Sequence, residues 1–231
     1  MDSPAPAQLT VPAVGKDAPL DEDIRLLGRL LGDVVREQHG APVFELVERI
    51  RRLAVDQRRR SSDDHHELAQ LLDSLSTAEA LPVIRAFSWF SLLANIAEDV
   101  HHVRRRTYHR RVGSPPQPGS LEHSLDRLAQ SGRSAADTAA LLKQVKVTPV
   151  LTAHPTEVRR KTVLDCQLEI ARLLLERDRV QSDGDDVDPI DDALRLQVLT
   201  LWQTAILRLS KLRVADEINE SLRYYLSLIH I

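Results

Sequence analysis

One histidine stands where a strand-like pattern ends and a helical pattern begins. His154 lies within VLTAHPTEVRRK, residues 150–161, and Pro155 follows it directly. In α/β proteins the end of a strand is a rigid position from which side chains project into a site, and a helix amino terminus favours anions. An imidazole there could accept a proton or bind a phosphate, since its ordinary pKa near 6.5 allows either charge state. A turn histidine bonded only to backbone fits the position equally well.

Three basic residues follow on the first turns of the next predicted helix. They are Arg159, Arg160 and Lys161, and at about 100° per residue they cannot all face the same way. Cations are mildly unfavourable at a helix amino terminus, so these side chains either bind an anion or make solvated surface contacts. Because His154 is close, we take Arg159 and Arg160 as the candidate substrate-binding residues.

Helical periodicity predicts most of the elements that must position this stretch. Apolar residues recur at threes and fours, which is the pattern of amphipathic helices. Ser76 or Thr77, with Glu79 close behind, and Ser134 are suitable amino-terminal caps. The predicted helices cover residues 21–38, 43–58, 65–75, 81–106, 121–131, 134–144, 156–180 and 190–212.

The segment before His154 differs in composition from the helical segments. Residues 145–154 are short and rich in β-branched side chains, which predicts a buried strand of the parallel type. A single strand cannot satisfy its own backbone donors and acceptors, so its partners must come from elsewhere. The helix after it keeps Leu164, Leu168, Ala171 and Leu175 on one face.

Composition indicates a globular protein, and its overall charge points to no particular partner. The 231 residues are 42% hydrophobic and 28% charged, with a formal net charge of -3. No overall basic field favours nucleic acid, and the basic run at 101–111 is expected to be solvated or paired within the chain. The single cysteine, Cys166, is expected to be a small helical residue. A chain with one cysteine cannot form an internal disulfide, which fits a reducing compartment. The cytoplasm is therefore the expected location, and no membrane span is predicted because the most apolar stretch, 86–97, is short.

Common catalytic motifs are missing from the sequence. It contains no G-x-x-x-x-G-K-[ST], G-x-G-x-x-G, H-E-x-x-H or G-x-S-x-G pattern. The sequence therefore gives no support for a phosphate-binding nucleotide loop, for a zinc hydrolase of the H-E-x-x-H type or for a common serine hydrolase.

Residues 152–161 resemble the first active-site signature of phosphoenolpyruvate carboxylases. That signature is Thr-Ala-His-Pro-Thr-Glu followed after two residues by Arg and a basic residue, and TAHPTEVRRK fits it throughout. The resemblance extends, in order, through DIRLLGRLLGDVVREQHG at 23–40, VIRAFSWFSLLANIAEDVHHVRRR at 83–106 and LWQTAILRLSKLRVADEINESLRYY at 201–225. It covers nearly the whole chain from about Pro19 to Tyr225.

The resemblance implies a lyase that uses Mg²⁺ to join phosphoenolpyruvate and bicarbonate into oxaloacetate and phosphate. It implies a mostly α-helical fold carrying the first strand of an incomplete α/β, TIM-like barrel, and a homotetramer for the full-length enzyme. His154 would be the family's essential histidine, which takes the proton of carboxyphosphate. The family's Mg²⁺ ligands belong to a carboxyl-terminal region that this sequence does not contain, so no metal ligand is expected in the chain.

The same resemblance suggests how the chain is divided. We expect a disordered tail over residues 1–19 and the amino-terminal part of a single carboxylase domain over 20–225. The end, LSLIHI at 226–231, does not resemble the family and is expected to be the non-native end of a truncated reading frame. The chain alone is then expected to be inactive. Two alternatives stay open: a helical interaction module without catalysis, and a phosphohistidine-carrying domain, although the latter surrounds its histidine with glycines that are absent here.

Overall fold

The structure is a computed structural model that describes residues 17–60, 66–146, 148, 160–205 and isolated positions between 213 and 222. Within these residues the chain is mostly helical, which confirms the predicted helical class. The helices are α1 (Ala18–His39), α2 (Ala41–Arg60), α3 (His66–Asp73), α4 (Thr77–Arg111), α5 (Leu121–Gln130), α6 (Ala135–Gln144), α7 (Lys161–Asp183) and α8 (Asp188–Gln203).

The chain divides into two units. Unit 1 comprises residues 1–101 and 162–206, and unit 2 comprises residues 102–161 and 207–231. In the described residues, unit 1 holds α1, α2, α3, most of α4, nearly all of α7 and α8. Unit 2 holds the end of α4 with α5 and α6.

Unit 1 is built on a core shared by α1, α4, α7 and α8. Each helix contributes a stripe of apolar side chains, represented by Leu27, Leu93, Ile170 and Leu194, of which none is more than 1% exposed. Burying a side chain of this size contributes about 1.5–3 kcal/mol, so the packed stripes stabilise these helices far more than helix propensity does. This packing holds the start of α7 and the end of α8 in one body.

Specific contacts fix the directions of the helices in unit 1. His101 of α4 lies 3.4 Å from Asp17, which directly precedes α1, whereas the Phe90 ring lies against Gly28 in the middle of α1. Helix α4 therefore runs antiparallel to α1. The His39 and Trp202 rings meet edge to face with centroids 5.3 Å apart, so α1 and α8 end at the same end of the unit.

Two predicted helix caps are confirmed. The Ser76 hydroxyl accepts a hydrogen bond from the Glu79 backbone N–H at 3.3 Å, and Glu79 accepts one from the Ser76 N–H at 2.9 Å. Ser134 and Asp137 form the same reciprocal arrangement at the start of α6. Each pair satisfies backbone donors that a helix start would otherwise leave without a partner.

Unit 2 is less buried than unit 1. Neither α5 nor α6 contributes a buried residue within the described part of the chain. Ser120 caps α5 by accepting from the His123 N–H at 3.1 Å, and the connector before it is free of helix, as its Pro and Gly content predicts. Most of the basic run at 101–111 is exposed, and the buried His101 lies 3.4 Å from Asp17, so the run is solvated or paired within the chain as expected.

The predicted strand falls mainly outside the described residues. Of its span, 145–154, only Val145, Lys146 and Thr148 are described, and these three are not in a strand. No strand occurs anywhere in the described part of the chain. The barrel strand stays a prediction for the remaining positions.

Three helices differ from their predicted bounds by more than three residues. Helix α4 runs from Thr77 to Arg111, whereas 81–106 was predicted. Helix α7 begins at Lys161, since Arg160 is not helical, whereas the predicted start was Thr156, which lies outside the described residues. Helix α8 ends at Gln203 because Thr204 is extended, with ψ 130, so the predicted continuation to 212 is wrong at this point.

The predicted apolar face of α7 is only partly buried: Ala171 and Leu175 are half-buried and pack against the core of unit 1. Leu168 is 73% exposed, whereas Val163, Cys166, Ile170 and Leu174 are buried. Apolar residues lie on more than one side of this helix, and contact with α1, α4 and α8 selects the side that is buried.

Helix α4 is long and apolar enough, by length and composition, to cross a membrane. Its stripe from Trp89 through Leu93 to Val100 is buried in the core of unit 1. A core helix has this composition too, so the packing favours that interpretation.

Candidate functional site

The residues that the sequence singles out precede α7 in the chain. His154 and Arg159 fall outside the described residues. Arg160 is described: it is half-buried and directly precedes the first helical residue, the exposed Lys161. The structure thus places one of the three candidate site residues and does not test the other two.

Helix α7 enters unit 1 at the end where α8 finishes. Arg177 Nε donates to Asp191 Oδ1 at 2.7 Å, which pairs the two helices near the turn that connects them. This bond raises the pKa of Arg177, and the pair is about three-quarters buried. Both helices extend away from this contact at about 1.5 Å per residue. The start of α7 lies at least as far from the contact as Trp202 of α8 does. It therefore lies toward the end of unit 1 at which α8 finishes.

Arg85 of α4 secures the end of α8. Its Nη2 donates to the backbone oxygens of Trp202 and Thr204, the latter at 3.2 Å, and its guanidinium lies 5.1 Å from the centre of the Trp202 ring. The last carbonyls of a helix have no partner within the helix, and a cation is favoured there by the helix dipole. Arg85 therefore fixes the point at which the chain leaves α8.

A second candidate place is a cleft between α1, α2 and α4. Its volume is about 510 Å³, within the range typical of small-molecule sites. Apolar side chains such as Ile24, Phe44 and Phe90 line it, and arginines stand at its rim. Sequence reasoning missed this cleft because its walls come from three separate helices.

The described residues do not fit a Mg²⁺ site. Mg²⁺ is held by carboxylate oxygens, and no group of three or more His, Cys, Asp or Glu side chains converges among these residues. We therefore assign no step of a reaction to a metal ion held by them.

Cys166 has a structural position on α7. The thiol is 3% exposed, and burial, reinforced by the charge of Asp165, raises its pKa. A thiolate is the reactive form of cysteine, so this environment disfavours nucleophilic chemistry, in agreement with the sequence.

Comparison with known proteins places this helical chain in a family of carboxylases. The model of the phosphoenolpyruvate carboxylase family matches residues 20–230. The phosphoenolpyruvate carboxylase of Azoarcus sp. (strain BH72) is 54% identical over 214 residues, covering 91% of this chain. That of Aromatoleum aromaticum is 52% identical over 213 residues, and that of Mycolicibacterium paratuberculosis is 49% identical over 214 residues.

The chain belongs to the phosphoenolpyruvate carboxylase family. It spans 23% of the length of each of these three relatives. The resemblance carried by TAHPTEVRRK at 152–161 is thus confirmed at the level of the family.

Proposed function

We propose that the chain forms the amino-terminal part of an enzyme that carboxylates phosphoenolpyruvate with bicarbonate, giving oxaloacetate and phosphate. The observation that carries the proposal is the family match over residues 20–230, which includes the signature TAHPTEVRRK. The product would replenish the tricarboxylic acid cycle by fixing carbon dioxide. The names of the relatives, all phosphoenolpyruvate carboxylases, support this assignment.

His154 is the proposed catalytic base. Bicarbonate oxygen attacks the phosphoryl group of phosphoenolpyruvate, giving carboxyphosphate and the enolate of pyruvate. The imidazole of His154 then takes the carboxyl proton, the C–O bond to phosphate breaks with its electron pair going to phosphate, and carbon dioxide is released. The enolate carbon attacks carbon dioxide to form oxaloacetate. A neutral imidazole near its ordinary pKa suits this single proton transfer.

Arg159 and Arg160 are the proposed contacts to the anionic substrates. The half-burial of Arg160 supports this role, because a guanidinium withdrawn from water binds an oxyanion more strongly than an exposed one does. Arg160 also stands directly before α7, whose amino terminus favours negative charge.

The rest of the site is proposed to come from sequence outside this chain. We place there the Mg²⁺ ligands and the other strands of a TIM-like barrel whose first strand lies within 145–154. Residues 20–225 would then be the amino-terminal part of one domain, 1–19 a disordered tail and 226–231 a non-native end. The 231-residue chain would be inactive, and the full-length enzyme would be a cytoplasmic homotetramer that binds neither nucleic acid nor membrane.

The test is made on the complete gene product with two products measured separately. Oxaloacetate is followed by its reduction with malate dehydrogenase and NADH, and phosphate by a colorimetric assay, with and without bicarbonate. The proposal predicts equal bicarbonate-dependent yields of both products. The His154→Asn variant should lose oxaloacetate by at least about 100-fold, the usual contribution of a general base, while bicarbonate-dependent phosphate release continues.

The His102→Asn variant is the matched control, since His102 is exposed on α4. It should behave as the unchanged protein does. A complete gene product that forms no oxaloacetate would contradict the proposed function and favour a helical interaction module. Covalent ³²P on His154 after incubation with labelled phosphoenolpyruvate would favour the phosphohistidine alternative instead.

A further inference from the structure

The cleft between α1, α2 and α4 combines an apolar floor with a cationic rim. Along α1, Ile24, Gly28, Leu31 and Val35 follow helical spacing and line the floor. Arg25 and Arg29, one position further along in the sequence, form an adjacent stripe at the rim. One helix therefore presents apolar and cationic groups side by side to the same space.

Two glycines bring aromatic rings close to α1. A Cβ atom at Gly28 would lie 3.3 Å from the Phe90 ring, and one at Gly32 would lie 3.0 Å from the Phe44 ring. A glycine within a helix costs about 1 kcal/mol relative to alanine, so its presence calls for a packing reason. Here it allows phenylalanine rings from α2 and α4 to form the walls of the cleft.

The charges around the cleft favour an anion. Four arginines and two carboxylates line it. Arg51 is committed to Glu48, whose carboxylate it meets with both Nε and Nη2 at 3.0 and 2.9 Å, and this bond raises the pKa of Arg51. Among the described residues, Arg25 and Arg29 form no such bond. Two uncommitted guanidinium groups therefore stand beside an apolar floor.

The other two charged residues that line the cleft are Arg36 and Asp33. Arg36 lies over the Phe44 ring with its Cζ 4.0 Å from the centroid, which keeps this guanidinium at the aromatic wall. The charge of Asp33 also acts outside the cleft, since it adds to the effect of Glu37 in raising the pKa of Arg195 on α8. The net charge at the rim is positive.

We propose that this cleft binds a small organic anion that carries an aromatic or branched aliphatic group. The apolar part would contact Phe44, Phe87 and Phe90, and the anionic group would pair with Arg25 and Arg29. A volume of about 510 Å³ accommodates a ligand of this class. The inference is independent of the proposed carboxylase function, because no residue of the cleft belongs to the His154 signature.

The test uses two fluorescent probes that share an apolar body and differ in charge. 1-Anilinonaphthalene-8-sulfonate carries an anionic sulfonate, and N-phenyl-1-naphthylamine is its neutral counterpart. Each is titrated into the complete gene product, and Kd is taken from the rise in emission. We expect the double variant Arg25→Gln, Arg29→Gln to raise the Kd of the anionic probe about tenfold, roughly threefold per exposed ion pair, and to leave the Kd of the neutral probe unchanged.

Two further variants make the result decisive. Arg58→Gln with Arg59→Gln removes the same charge from exposed positions of α2 that do not line the cleft, and it should leave both Kd values unchanged. Val47→Phe should weaken both probes by filling the floor, with circular dichroism showing that the helices are retained. The proposal is overturned if the Arg58/Arg59 variant acts like the Arg25/Arg29 variant, if the rim variant weakens both probes equally, or if neither probe binds.

Discussion

The buried face of α7 gives a sharp test of the packing in unit 1. Ile170 is 0% exposed and Leu168 is 73% exposed, although they are two positions apart on the same helix. The Ile170→Ala change removes three carbon atoms from the core, at roughly 0.8 kcal/mol each, and leaves a cavity. We expect a loss of about 3 kcal/mol in the free energy of unfolding of unit 1.

The matched change is Leu168→Ala. It removes a side chain that mostly contacts water, so the free energy of unfolding should change by no more than about 0.5 kcal/mol. Urea unfolding of the 231-residue chain can be followed by tryptophan emission, because both tryptophans, Trp89 and Trp202, are buried in unit 1. With a urea slope of about 2 kcal/mol/M, the midpoint should fall by about 1.5 M for Ile170→Ala and by no more than about 0.25 M for Leu168→Ala. Equal shifts for the two variants would refute the described burial of this helix.

Two other predictions concern groups with altered pKa values. Because burial raises the pKa of the Cys166 thiol, labelling by 5,5′-dithiobis(2-nitrobenzoate) at pH 8 should proceed only as fast as the chain opens; rapid labelling of the folded chain would contradict the burial. The hydrogen bonds from Ser76 lower the pKa of Glu79 below its ordinary value of 4.5. The ionised carboxylate therefore stabilises α4 fully above pH 4.5, and this effect is lost as pH falls through the lowered pKa. Thermal unfolding of Glu79→Gln between pH 3 and pH 6 should therefore show a shallower fall in Tm toward low pH than the unchanged chain shows, and parallel curves would contradict the assignment.

Local chemistry made some elements predictable from sequence. The caps at Ser76 and Ser134 depend on a hydroxyl and a carboxylate three residues apart, and no distant residue is needed to form them. The helices themselves follow from apolar spacing, and five of the eight begin and end within about three residues of their predicted bounds.

Tertiary contacts decided what the sequence left open. Leu168 belongs to an apolar series as regular as that of Ile170, and only the neighbouring helices select the buried one. His101 stands in a basic run that resembles a solvated surface, yet it is buried beside Asp17, far from it in sequence. The cleft had one local signal, the glycines at 28 and 32 within an amphipathic helix, but its walls require α2 and α4 to be placed first.

The candidate catalytic residue was found by resemblance, since position alone left His154 between a turn residue and a base. Arg160, the nearest described candidate, is half-buried before α7, which agrees with an anion contact.

The most direct measurement is the ratio of oxaloacetate to phosphate formed by the complete gene product and its His154→Asn variant. The account predicts a ratio near one for the unchanged protein and near zero for the variant, with bicarbonate-dependent phosphate release in both. A variant that keeps a ratio near one would show that His154 is not the base of the carboxylation.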